Sequence, residues 1–123
     1  MSTSDGDRIQ LRRAGQRVRV LAGEMLIADT RAAVCLAENG YPPRWYIPPA
    51  DVAMHCLTDS DTRTHCPYKG DARYFDLQHD DNTLADAAWC YAAPIDSVAA
   101  IAGYLAFDHP QLTLHIEDGA EIS

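Results

Sequence analysis

The sequence has no Cys-x-x-Cys pair, no Gly-x-Gly-x-x-Gly and no phosphate-binding loop ending in Gly-Lys-Ser or Gly-Lys-Thr. The first absence argues against a zinc site built of thiolates alone. The other two remove the standard cradles for dinucleotides and triphosphates. Long apolar runs are missing as well, so no segment reads as a bilayer-spanning helix. Positive charge is scarce: 10 Lys and Arg stand against 18 Asp and Glu, a formal net charge of −8. A nucleic-acid backbone is therefore not the expected partner, because such binders need a basic field.

A chain of 123 residues suits one domain with a single core. The expected division is a disordered tail over residues 1–10, a β-rich domain over 11–118 and a short tail over 119–123. Met1 to Gln10 is polar and has no apolar stretch of the kind a secretory signal needs, so cytoplasmic residence is expected. The cysteines at 35, 56, 66 and 90 are then reduced. Cys35 and Cys90 lie in apolar stretches and read as small buried hydrophobes.

Short alternating segments separated by turn residues run along the chain. Arg17 to Leu21 alternates polar and apolar, as a half-buried strand does. Met25 to Ala28 follows a Gly-Glu pair that suits a hairpin. Arg31 to Glu38 reads as a strand, Arg44 to Ile47 as a short aromatic one, and Pro49 to Asp51 as a helical turn. Val52 to Leu57 is expected to be a strand, Thr58 to Asp61 a polar turn, and Ala72 to Gln78 another strand. Leu84 to Ala92 places Trp89 and Tyr91 on one face. Asp96 or Ser97 is positioned to cap a short helix through Ala102. Gly103 to Phe107 is open between helix and strand. Leu112, Leu114 and Ile116 alternate with polar residues in a last strand. The pattern predicts a mainly β, mostly antiparallel domain.

The stretch from Thr64 to Gly70 concentrates chemistry: an imidazole, a thiol, a phenol and an ammonium within seven residues. Cys66 precedes Pro67, which biases it toward extended backbone. Gly70 permits a positive φ or a close backbone approach. Such a turn holds Cys66 and Lys69 in fixed relation, and an ammonium near the thiol favours the thiolate. Equally, Lys69 can hold an anion. The plainer reading has Cys66 filling a gap, Tyr68 packing and Lys69 solvated. His55-Cys56 and His65-Cys66 invite a metal, with Val52 to Leu57 pairing against Arg63 to Tyr68. Neighbouring residues on a strand face opposite ways, so too few ligands meet, and no metal or other cofactor is expected. Trp45 alternates with Tyr46, so only one of them faces a given side. Asp76 and Asp86 become acid or base candidates where they enter a cavity near Lys69 or Arg73.

Arg44-Trp45-Tyr46-Ile47-Pro48, then Ser60 to Gly70 with Ala72 and Tyr74, then Asp86-Ala87-Ala88-Trp89-x-Tyr91 and Ile101 to Phe107, resemble the bacterial domain of unknown function 427 family. The likeness runs from Val18 to Ile116. It implies a β-tent-like fold, two antiparallel sheets packed at an angle, with one or two short helical turns. Some relatives of that shape hold small ligands in aromatic cages, and others carry zinc through Cys-x-x-Cys pairs that this chain lacks. By resemblance the pocket residues are Trp45, Tyr46, Arg63, Cys66, Tyr68, Lys69, Tyr74, Asp86, Trp89 and Tyr104. The leading expectation is a pocket for a small anionic or planar polar molecule, with Lys69 and Arg63 supplying charge. Lys69→Ala is then expected to abolish binding while leaving thermal stability nearly unchanged. A second expectation is an enzyme with Cys66 as nucleophile or with Lys69 or Asp86 in the chemistry. A third is a homodimeric interaction module pairing through edge strands.

Overall fold

The computed structural model describes residues 9–117. The expected tails lie outside these residues, except that Ile9 and Gln10 open the first strand. The mainly β expectation holds. Among the described residues ten strands run in order: β1 (Ile9–Arg13), β2 (Arg17–Ala22), β3 (Met25–Thr30), β4 (Val34–Glu38), β5 (Arg44–Tyr46), β6 (Leu57–Cys66), β7 (Gly70–His79), β8 (Asn82–Cys90), β9 (Leu105–Phe107) and β10 (Leu112–Glu117). They form three antiparallel sheets rather than two, ordered β1-β4-β5, β10-β2-β3 and β6-β7-β8-β9. Among the described residues, helical structure is confined to 3-10 turns at Pro49–Asp51, Met54–Cys56 and Asp96–Ile101.

Alternate residues of the four-stranded sheet feed two cores. Phe75, Leu77, Leu84, Ala88, Leu105 and Phe107 pack with Val18, Val20 and Ile27 from the β2–β3 hairpin. Ala72 and Ala106, from the same sheet, pack instead with Val34, Leu36 and Tyr46 of β4 and β5, and with Tyr91, Val98 and Ile101. Both faces of the sheet thus carry core, and its inner strands β7 and β8 give apolar side chains to each, with polar residues such as Asp76 and Asp86 between them. Ile47 and Leu105 exchange two backbone hydrogen bonds of 2.8 Å, which stitch the end of β5 to β9. That seam sets the β4–β5 ribbon against the β7–β8 surface and leaves a hollow between them.

Two sequence expectations fail here for physical reasons. Val52 to Leu57 is not a strand: Val52 makes an isolated bridge to Ala28, and Met54–Cys56 coils into a 3-10 turn. Thr58 to Asp61 is not a turn but part of the first half of β6. β6 is the edge of its sheet, so polar side chains there reflect a solvated edge rather than a change of direction. The pairing that would have joined the two His-Cys dipeptides is replaced by Arg63–Cys66 against Gly70–Arg73. The turn at Asp96–Ile101 is capped by neither Asp96 nor Ser97; its N-cap is Ile95, without a side-chain hydrogen bond. The Arg31–Glu38 run is a strand from Val34 onward, and the Gly103–Phe107 stretch resolves as β9.

Candidate functional site

The Cys66–Gly70 segment is the tight connection between β6 and β7. The Lys69 N–H donates to the Cys66 carbonyl at 3.0 Å, closing a turn with Pro67 in the position that its fixed φ suits. The Lys69 carbonyl in turn accepts from the Ile95 N–H at 2.9 Å. Gly70 has φ +127, and a Cβ there would lie 3.3 Å from the Pro94 Cα and 3.4 Å from the Ala93 oxygen. The turn is therefore fastened to the segment that follows β8, and this fixes where Lys69 starts.

From that anchor the Lys69 side chain runs into the hollow. Its ammonium donates to Glu38 Oε1 at 2.8 Å and sits 3.7 Å from the Cys66 sulfur. Both charged side chains are largely enclosed, at 11% and 12% exposure. Burial works against the lysine's charge. The Glu38 hydrogen bond and the neighbouring sulfur more than offset it, so the Lys69 pKa lies above its ordinary value. The other three cysteines, Cys35, Cys56 and Cys90, are buried; Cys66 alone lines the cavity.

Aromatic rings form the wall. Tyr74 of β7 and Trp89 of β8 stand side by side, centroids 6.0 Å apart. The Trp89 indole N–H donates to the Tyr46 hydroxyl at 3.4 Å, and Tyr46 meets Tyr91 at 6.4 Å between centroids. Arg44 lays its guanidinium 5.3 Å from the centre of the Trp89 ring while pairing with Asp108 at 3.1 Å. The resulting cavity holds about 510 Å³, within the range of small-molecule sites.

Asp86 enters from β8 with φ +52, an unusual backbone for a non-glycine strand residue. The β7–β8 register shifts between Phe75 and Leu77, and the β6–β7 register shifts between Asp59 and Arg63. Such bulges re-aim side chains. The Asp86 N–H donates to Asp76 Oδ1 at 2.9 Å. Its carboxylate accepts from the Ser60 hydroxyl at 2.5 Å and the Thr62 hydroxyl at 2.7 Å. Those two bonds hold the Asp86 pKa below the usual carboxylate value, which suits an acceptor at neutral pH and not a proton donor.

Of the residues expected to line a pocket, Tyr46, Cys66, Lys69, Tyr74, Asp86 and Trp89 come together in this cavity. Four do not. Trp45 turns to the opposite core, its ring 5.9 Å from the Arg12 guanidinium. Arg63 lines a separate hollow with His65, Arg73 and Ala92, and its guanidinium bonds the Ser60 and Thr62 carbonyls. Tyr68 stays on the turn, and Tyr104 packs against the second core without reaching the cavity. His65 is exposed and bonded to Asp71. Among the described residues no group of three or more His, Cys, Asp or Glu is placed to hold a metal ion.

Sequence reasoning missed Glu38, Arg44, Tyr91 and Asp108, which also line the cavity. Tyr91 was within reach, since it shares a strand face with Trp89. Glu38 was not: nothing local in the sequence tells which acid meets Lys69 from 31 residues away.

A family model described as a domain of unknown function (DUF427) matches residues 10–118. The chain belongs to that family. No curated protein matches it. The matched span of this DUF427 chain contains every cavity residue named above.

The two innermost tyrosines of this DUF427 chain carry a testable signature. Burial raises the Tyr91 pKa well above its ordinary value, and neighbouring Tyr46 adds to the effect. Burial raises Tyr46 as well, against the Trp89 hydrogen bond. Above the usual tyrosine pKa of about 10, the unfolded chain releases protons that the folded chain keeps, so stability falls as pH rises. Lys69, also raised, acts in the same direction. Tyrosinate absorbance should therefore rise in two stages, with the later one coinciding with unfolding. Tyr46→Phe and Tyr91→Phe should each shrink that later stage. A single stage complete before unfolding would contradict the enclosed wall.

Proposed function

We propose that this cavity binds a small, planar, polar molecule. The observation that carries the reading is the meeting of an aromatic wall, Tyr74 and Trp89, with an enclosed Lys69–Glu38 pair inside about 510 Å³. A flat ring gains apolar contact from the wall. The pair offers both a donor and an acceptor to polar groups at the ring's edge. A simple anion is the less favoured occupant, because Lys69 already spends its charge on Glu38 and Arg63 lies elsewhere.

Trp89 supplies the assay. The chain has two tryptophans, and Trp45 packs outside the cavity. In a Trp45→Phe variant, planar fragments bearing one amide or amidine should change Trp89 emission saturably. Fragment-sized ligands should bind in about the millimolar range. Truncating Tyr74 to alanine should weaken the response. A change that never saturates, and that matches free tryptophan with the same fragments, would remove the reading.

A further inference from the structure

We propose that the cavity selects a planar cation, an amidine, guanidine or protonated ring amine, and that Asp86 reads its charge. This rests on the ligand-binding reading above and specifies the class of ligand.

The ionic groups of the lining point this way. They are two cations, Lys69 and Arg44, and three carboxylates, Glu38, Asp86 and Asp108. Lys69 is paired with Glu38 and Arg44 with Asp108. Asp86 makes no ion pair among the described residues; its carboxylate accepts only from the hydroxyls of Ser60 and Thr62. The one charge left uncompensated in an aromatic hollow is therefore negative.

Asp86 is also the residue whose placement the fold works hardest to achieve. Both register shifts of the four-stranded sheet border it or its hydroxyl partners. Its own φ is +52, and its amide is caught by Asp76. A residue needed only for strand pairing would not require a strained backbone. An ionised carboxylate has about four lone-pair sites. The two hydroxyls use two and fix its orientation, so two more remain for a forked donor. An amidinium or guanidinium presents two parallel N–H groups that match a carboxylate bidentately.

The aromatic wall favours the same class. A planar cation is attracted to the face of tryptophan. Arg44 demonstrates the fit from within, its guanidinium 5.3 Å from the Trp89 centroid. A ligand cation would share that face or displace Arg44 toward Asp108, its present partner.

Three probes of one planar shape separate the possibilities: benzamidine, benzamide and benzoate carry positive, zero and negative charge. Each is titrated against Trp89 emission in the Trp45→Phe background. The expected order is benzamidine first, at least tenfold tighter than benzamide, with benzoate weakest. Asp86→Asn keeps an acceptor, and asparagine tolerates positive φ, so the variant should fold. It should abolish the advantage of benzamidine over benzamide. Should that variant melt early, the ranking of the probes on the Trp45→Phe protein decides alone. Benzoate binding tightest, or all three binding equally, would overturn the charge selection and leave the site itself standing. No saturable response to any of the three would remove the site, and the selection with it.

Discussion

Methionine in place of Lys69 should lower the stability of this domain by about 2–3 kcal/mol. The ammonium and the Glu38 carboxylate are 2.8 Å apart, and their side chains are 11% and 12% exposed. Removing the cation leaves a carboxylate in a setting where water reaches it poorly. Breaking a fully buried pair costs about 3–5 kcal/mol, and residual solvent access places this one at or just under the lower edge. The loss should exceed the packing gained from an unbranched apolar side chain of similar length. Glu38→Gln should also destabilise, since burial then opposes the Lys69 charge without the opposing carboxylate. The double variant Lys69→Met with Glu38→Gln should recover much of the loss. A coupling of about 1–3 kcal/mol is expected from a double-mutant cycle, read by urea unfolding. Strict additivity of the two single losses would show that the contact contributes nothing.

The same pair changes how a binding defect must be read. Sequence alone predicts that truncating Lys69 leaves stability nearly untouched, as for a lysine reaching toward a ligand. The Glu38 contact corrects it. A Lys69 variant that fails to bind a planar fragment has lost both a contact and some rigidity of the hollow. The double variant separates the two, because it restores the balance of charge without restoring the ammonium. If it is stable and still fails to bind, the pair touches the ligand and does more than stiffen the hollow.

Some of this arrangement was legible in the residues and some was not, and the division has a physical basis. The inward positions of β2 follow from strict alternation, since Val18, Val20 and Ala22 are the buried members of the strand. The turn at Cys66–Gly70 follows from Pro67 and Gly70. Trp89 and Tyr91 share a face because they are two apart. The edge strand β6 was not legible, because a solvated edge and a turn select the same polar residues. The alternation of Trp45 with Tyr46 said that they part company but not which of them faces the cavity. That choice is made by the Ile47–Leu105 seam, a long-range contact with no local signature. The register shifts that deliver Asp86 have no local sequence mark either. They are properties of two strands paired, and Ser60 and Thr62 acquire their role only once the bulge in β6 brings their hydroxyls within reach of Asp86 on β8.

Alanine at position 70 should cost about 3 kcal/mol, the sum of backbone strain and a steric conflict. Gly70 sits at φ +127, where a side chain is strained whatever the space around it. The added Cβ would also come within 3.3 Å of the Pro94 Cα and 3.4 Å of the Ala93 oxygen. Both are backbone atoms, and that backbone is held by the hydrogen bond from the Ile95 N–H to the Lys69 carbonyl. It cannot yield without loosening the turn that aims Lys69. The substitution should therefore act through Lys69 as well as on its own account. Gly70→Ala combined with Lys69→Met should cost less than the two losses added, because the first change already weakens the contact that the second removes. Gly15 provides the internal control, with nothing within 4 Å of its built Cβ; Gly15→Ala should shift the unfolding midpoint little in either direction. Equal effects at positions 15 and 70 would mean that the turn is not fastened to the segment after β8. The Lys69 ammonium would then have no fixed address in the cavity.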